Sequence, residues 1–282
     1  MKYSVFYHHI CEAARETGRN VDEMLLLARS WGIGYVELDR DAIGARGGDI
    51  LGLCDQLTRC GMAPSSIYGF YSWQEEGSVP AEDDLLLWQA QLLECPRVMV
   101  IPGFYTDPAD AEKCREEKAR MIAGMQKLCA MAAARGITPT IECFDDARSP
   151  IATIAGMAEF LAAVPELKVT LETGNFLFSG DDILEAQHRF AGAIAHVHLK
   201  DRFLPRLSPD IAPAGDRTVA VTGEVMYPCA VGHGHIPMDT VLRRLSGASY
   251  DGILTIEHFG AADYAQTIRD SIDWLKAQET SL

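Results

Sequence analysis

Eight short runs rich in β-branched and aromatic residues alternate with longer helical patterns along this 282-residue chain, and that rhythm limits the fold more than any other feature. The predicted strands are Tyr3 to Tyr7, Ile33 to Leu38, Ala63 to Tyr68, Arg97 to Ile101, Thr138 to Glu142, Lys168 to Glu172, Ile194 to Leu199 and Gly252 to Glu257. The clearest helical signal starts at Asp107-Pro108, a cap and first-turn proline. It continues through Met121, Met125, Leu128 and Ala132 at helical spacing and stops at Gly136. Repeated βα units build a parallel sheet, and eight of them in a chain of this length close into an α/β fold, a single (β/α)8 TIM barrel. An open doubly wound sheet fits less well, because His8-His9-Ile10-Cys11 follows the first strand where a dinucleotide-binding fold carries a glycine-rich turn. No low-complexity segment or Pro, Gly or Ser-rich linker divides the chain, so one domain over 1–282 is expected.

Composition narrows the partners. Hydrophobic residues at 48% and charged ones at 23% suit an ordinary packed core. A net charge of −15, from 25 Lys and Arg against 40 Asp and Glu, repels polyphosphate and anionic lipid, so neither nucleic acid nor a membrane is an expected partner. No apolar run reaches the roughly eighteen residues of a membrane span, and Met1 to Ile10 lacks the layout of a secretion signal, which points to a cytoplasmic protein. The eight cysteines are dispersed without C-x-x-C spacing and read as reduced, mostly buried thiols.

One segment breaks the rhythm. Asp201 to Ile236 shows no periodicity, carries Pro205, Pro209, Pro213 and Pro228, and far exceeds an ordinary βα loop of about 2 to 6 residues. It leaves the C-terminal end of the seventh strand, where barrel enzymes place their chemistry, and is expected to form a lid over the active site.

The last four strands share a pattern: Thr140-Ile141-Glu142, Thr170-Leu171-Glu172, His196-Val197-His198 and Thr255-Ile256-Glu257. Side chains alternate along a strand, so the first and third members of each triplet face the barrel interior while the apolar member faces the helices. This predicts an inner layer of Thr and His and, one step nearer the rim, a ring of Glu142, Glu172, His198 and Glu257. Three carboxylates in so small a space repel one another, and burial raises their pKa values further, unless a cation neutralises them. An oxygen-rich set with one imidazole suits Mn²⁺, Mg²⁺, Co²⁺ or Zn²⁺, and residue type does not choose among them.

These residues carry a resemblance. The runs Thr140-Ile-Glu-Cys-Phe, Leu171-Glu-Thr-Gly-Asn175, His196-Val-His-Leu-Lys-Asp201, Val231-Gly-His-Gly-His-Ile-Pro237 and Tyr250-Asp-Gly-Ile-Leu-Thr-Ile-Glu-His258 resemble the xylose isomerase-like TIM barrels, in particular the sugar phosphate isomerase/epimerase group. The resemblance implies one divalent ion, usually Mn²⁺, held by Glu142, Glu172, His198 and Glu257, with Glu172 in place of the commoner Asp and Asn175 where many relatives have His. It implies a sugar or sugar phosphate substrate whose adjacent hydroxyl and carbonyl oxygens chelate the ion, an enediolate intermediate, and Glu142 and Glu257 as the groups that remove and return the proton. Epimerisation and aldose–ketose isomerisation both stay open. It also implies a homo-oligomer.

Other residues are candidates for the substrate. Lys200 shares the face of His198 and is placed to meet a substrate oxygen or phosphate. Arg202, Arg206 and Arg217 form either a phosphate clamp or ion pairs with Asp201, Asp210 and Asp216. Glu37 at the end of the second strand is a candidate substrate contact, as are the aromatics Tyr7, Tyr68, Phe70, Trp73 and Phe104. Three rival readings attach to the same barrel: a lyase resembling dehydroshikimate dehydratases, a non-catalytic sugar-binding barrel, and an apurinic endonuclease. The last needs more histidines than the strand ends supply, where Tyr68, Pro102 and Asn175 stand instead.

Overall fold

The computed structural model describes residues 1–45 and 49–279. Eight parallel strands close on themselves: β1 (Lys2–Phe6), β2 (Ile33–Asp39), β3 (Ala63–Phe70), β4 (Arg97–Ile101), β5 (Thr138–Ile141), β6 (Lys168–Glu172), β7 (Ile194–Leu199) and, after three short strands outside the barrel, a last one at Ile253–Ile256, which pairs with both β7 and β1. The fold is a single (β/α)8 TIM barrel. Predicted and observed strands agree to within two residues. Tyr7 opens the first helix instead of ending β1, and β3 runs on to Phe70. Glu142 and Glu257 stand one residue beyond their strands, although the Glu257 amide still donates to the Leu199 carbonyl at 3.0 Å.

The apolar partners in each strand face the helices. Val5, Val36, Ile67, Val98, Ile141, Val169, Leu171, Val197 and Ile256 are all buried in one core with helix residues such as Met24, Leu25, Met121, Met125 and Leu128. The helix Ala111–Ala133 starts later than Asp107-Pro108 predicts. Asp110 accepts hydrogen bonds from the amides of Glu112 and Lys113 and so caps the helix, while Asp107 accepts from the Ala109 amide in a preceding turn. Part of the barrel interior is small and polar. Ser4 and Ser65 lie 2.8 Å apart, Thr170 donates to Thr140 at 2.8 Å, and Thr255 contacts His196 Nε2 at 3.0 Å, all without access to solvent.

The segment after β7 is not structureless. Asp201–Phe203 (β8), Thr218–Val219 (β9) and Val225–Cys229 (β10) form an antiparallel sheet in the order β8-β10-β9. Strands of two to five residues interspersed with prolines are too short for an alternating pattern to show in the sequence. The anchor is Asp201. Its buried carboxylate accepts hydrogen bonds from the amides of Arg202 (2.8 Å), Gly232 (2.9 Å), Gly234 (3.0 Å) and Ile236 (3.1 Å), tying both ends of the excursion to one point. Gly234 is required there, since a Cβ would sit 2.2 Å from Asp201 Oδ1.

Candidate active site and metal centre

The strand ends deliver three of the four ring residues to one point. His198, fully buried, directs Nδ1 at Glu142 Oε2 (2.8 Å) and at Glu257 Oε2 (3.1 Å), and the ligand atoms of all three lie within 4.8 Å of one another. Glu172 sits beside them but faces elsewhere: its two oxygens accept hydrogen bonds from the amides of Gly174 (3.0 Å) and Asn175 in the turn that follows β6. The three-residue group that the described residues bring together is therefore Glu142, His198 and Glu257.

The other side of the imidazole belongs to Glu37. Its Oε2 lies 2.9 Å from His198 Nε2 and 3.0 Å from His196 Nε2, beneath the site and out of reach of solvent. Glu37 therefore orients a histidine, as carboxylates behind metal-bound imidazoles do, and with His196 forms a second buried group with metal-ligand chemistry. Nothing local in the sequence signals this role, since Glu37 and His198 are 161 positions apart.

The charges are in conflict. Burial raises the Glu142 carboxyl to about 7 despite the opposing pull of His198, and raises Glu172 to about 8 despite Lys200. His198 moves the other way from an ordinary buried imidazole: burial alone would lower it, but Glu37 and Glu142 lift it well above its usual value. Glu257 is also buried, yet Lys200, whose Nζ is 2.8 Å from its Oε1, holds it well below the usual carboxylate range. A single Nδ1 proton cannot serve both Glu142 and Glu257. Glu257 Oε2, although 3.1 Å away, is out of line for a hydrogen bond and is left as a buried oxygen without a partner. Two carboxylate oxygens and an imidazole nitrogen competing for one proton are a donor set that a divalent cation satisfies, so the residues fit such an ion.

Glu142 and Glu257 floor a cavity of about 420 Å³ at the C-terminal end of the barrel. Phe6, Tyr68, Met99 and Ile101 line its depth, with Phe70, Phe144 and Phe259 nearer the rim and Asn175, Lys200, Arg202, Asp216 and Thr218 on the polar side. Lys200 Nζ also meets Asn175 Oδ1 at 2.9 Å, and Arg202 pairs with Asp145 at 2.6 Å. Arg206 pairs with Glu224 at 3.0 Å, and Arg217 is exposed and does not line the cavity, although its neighbours Asp216 and Thr218 do. Tyr7 and Trp73 are packed into the core.

Comparison with known proteins agrees with the architecture. A family model described as xylose isomerase-like TIM barrel matches residues 25–278, and the chain belongs to that family. No curated protein sequence matches the chain. Among solved structures it is similar to the probable 3-DHS dehydratase AsbF involved in petrobactin synthesis from Bacillus anthracis (17% identity, 98% of this chain and 99% of that one, TM-score 0.71). It is also similar to a D-allulose 3-epimerase from Methylomonas sp. in complex with D-allulose (16% identity, 98% and 96%, TM-score 0.71). A third is a xylose isomerase-like TIM barrel protein from Mycobacterium smegmatis in complex with magnesium (16% identity, 92% and 88%, TM-score 0.65). Among the described residues no helix is long and apolar enough to cross a membrane.

Proposed function

We propose that this chain is a divalent-metal-dependent sugar isomerase or epimerase that works by proton transfer between carbon and its own carboxylates. The observation that carries the reading is the pair Glu142 and Glu257, which meet at one imidazole nitrogen on the floor of an open cavity. Glu142, His198 and Glu257 would hold the ion, Mn²⁺ or a relative, with Glu172 as a fourth carboxylate beside them. Such an ion supplies charge stabilisation where an oxyanion develops on the substrate.

The chain's own groups handle the proton. Lys200 keeps Glu257 ionised, which suits it to remove a proton from the carbon beside the carbonyl. Glu142, at the same imidazole nitrogen, is the second carboxylate through which a proton can be returned to the substrate. The excursion 201–236 acts as the lid and contributes Asp216 and Thr218 to the cavity wall. The cations that line the cavity, Lys200 and Arg202, already pair with carboxylates, and this favours an unphosphorylated substrate.

Incubation of the Mn²⁺-loaded protein with a panel of ketoses, ketose phosphates and inososes in D₂O tests the reading by deuterium incorporation at carbon. Glu257→Gln is expected to lower the exchange rate by about 10²–10⁴-fold; a near-wild-type rate refutes the assignment. The same pair of glutamates also suits a lyase, in which the abstraction is followed by loss of a neighbouring hydroxyl as water. Formation of protocatechuate from dehydroshikimate, with no exchange into ketoses, selects that second reading.

A further inference from the structure

The mouth of the cavity is divided into two chemically different halves. Asn175, Lys200, Arg202 and Asp216 form one. The other is hydrocarbon: Phe70 ends β3, Phe144 follows β5, and Phe104, following β4, backs them both. Their rings touch as a set. Phe70 and Phe104 are stacked at 6.5 Å and 22°, Phe70 and Phe144 meet edge to face at 5.7 Å, and Phe104 and Phe144 lie 5.5 Å apart. Arg148 covers the Phe104 ring at 5.3 Å, while Phe70, 38% exposed, leaves its ring open at the rim.

None of these rings offers a hydrogen bond. A hydroxyl pressed against them loses its water and gains no partner, so the polyhydroxy chain of a free ketose is poorly matched to this wall. A flat carbon face is well matched, whether the C–H face of a pyranose or an aromatic ring. Phe144 stands two residues beyond Glu142 and three beyond the end of β5, and both line the same cavity, Phe144 with its ring less buried than the Glu142 carboxylate. We propose that Phe70 and Phe144, supported by Phe104, form an outer subsite that binds an uncharged second ring, glycosyl or aryl, attached to the sugar unit on the floor. The reacting unit on that floor is the one assigned under the proposed function, on which this inference rests.

Binding can be measured without turnover. Calorimetric titration of the Mn²⁺-loaded full chain with methyl β-D-glucoside, phenyl β-D-glucoside and cellobiose compares no second ring with an aryl ring and a pyranosyl ring. At least one of the two ring-bearing ligands is expected to bind about tenfold tighter than the methyl glycoside, and which of them does so names the ring. Phe70→Ser, at a position 38% exposed, with its fold checked by circular dichroism, is expected to bring that preference to within twofold, and Phe144→Leu to do the same. Equal affinities for all three ligands, no binding by any of them, or a tenfold preference that survives Phe70→Ser overturns the subsite. Failure of every ketone to exchange deuterium would instead remove the proposed reaction and leave the binding result standing.

Discussion

Glu172 and Glu37 show how differently two buried glutamates are used. The oxygens of Glu172 are committed to backbone amides, whereas Oε2 of Glu142 and Oε2 of Glu257 face the imidazole. Glu142→Gln is therefore expected to weaken Mn²⁺ binding more than Glu172→Gln, while Glu37→Gln costs about 10–100-fold by loosening His198. Calorimetric titration of the three variants checks the order, and equal losses for Glu142→Gln and Glu172→Gln would make Glu172 a full ligand. The convergence of Glu142, His198 and Glu257 is legible in the sequence because strand alternation fixes which face each residue takes. The fold-back of Glu172 is not, since it depends on the conformation of the turn that follows β6. Glu37 behind His198 is equally hidden, because only barrel closure brings β2 opposite β7.

At the scale of elements, the strands announce themselves and the excursion does not. Each barrel strand is bounded by turn residues and buried on both faces, so its composition identifies it; β8, β9 and β10 are short, are paired with one another and pack an apolar cluster around Phe178, while Asp201 ties the two ends of the excursion. The sequence shows the long loop and the Gly-His-Gly-His run that ends it, but a carboxylate that gathers four amides leaves no periodic trace. Removing it strands those amides in a buried setting. Asp201→Ala is expected to cost about 2–4 kcal/mol and to open residues 201–236 to protease before the barrel unfolds. Chemical denaturation with limited proteolysis reads both, and a variant as stable and as protease-resistant as the parent would show that the anchor lies elsewhere.

For the molecule as a whole, the crowded floor makes stability depend on pH and metal together. Without an ion, Glu142 and Glu172 titrate near 7 and 8 in the native chain against about 4.5 when unfolded, and His198 is also raised. All three bind protons that the unfolded chain releases. The contribution of each is complete below its unfolded value; that of Glu142 and Glu172 is lost as pH rises through about 7 and 8, and that of His198 as pH rises through its own raised value. Glu37 and Glu257, depressed by their partners, act in the opposite sense and are lost only in acid, below about 4.5. Burial holds His9, His196 and His258 low, so they add stability as pH rises to about 6.5; the Tm of metal-stripped protein is thus expected to fall between pH 7 and 8.5, and Mn²⁺ to restore it most at the alkaline end, where no protons compete. Calorimetric scans with and without chelator check this; a metal-free Tm that climbs over that range contradicts it. A different consequence follows from the way the excursion is hung. Its departure and its return share one side chain, so whatever lies between is a cartridge: lengths and sequences can be exchanged there without asking any strand to shift register. Substrate choice is then free to drift over generations, or to be rebuilt at the bench, while the proton-handling floor stays where it is.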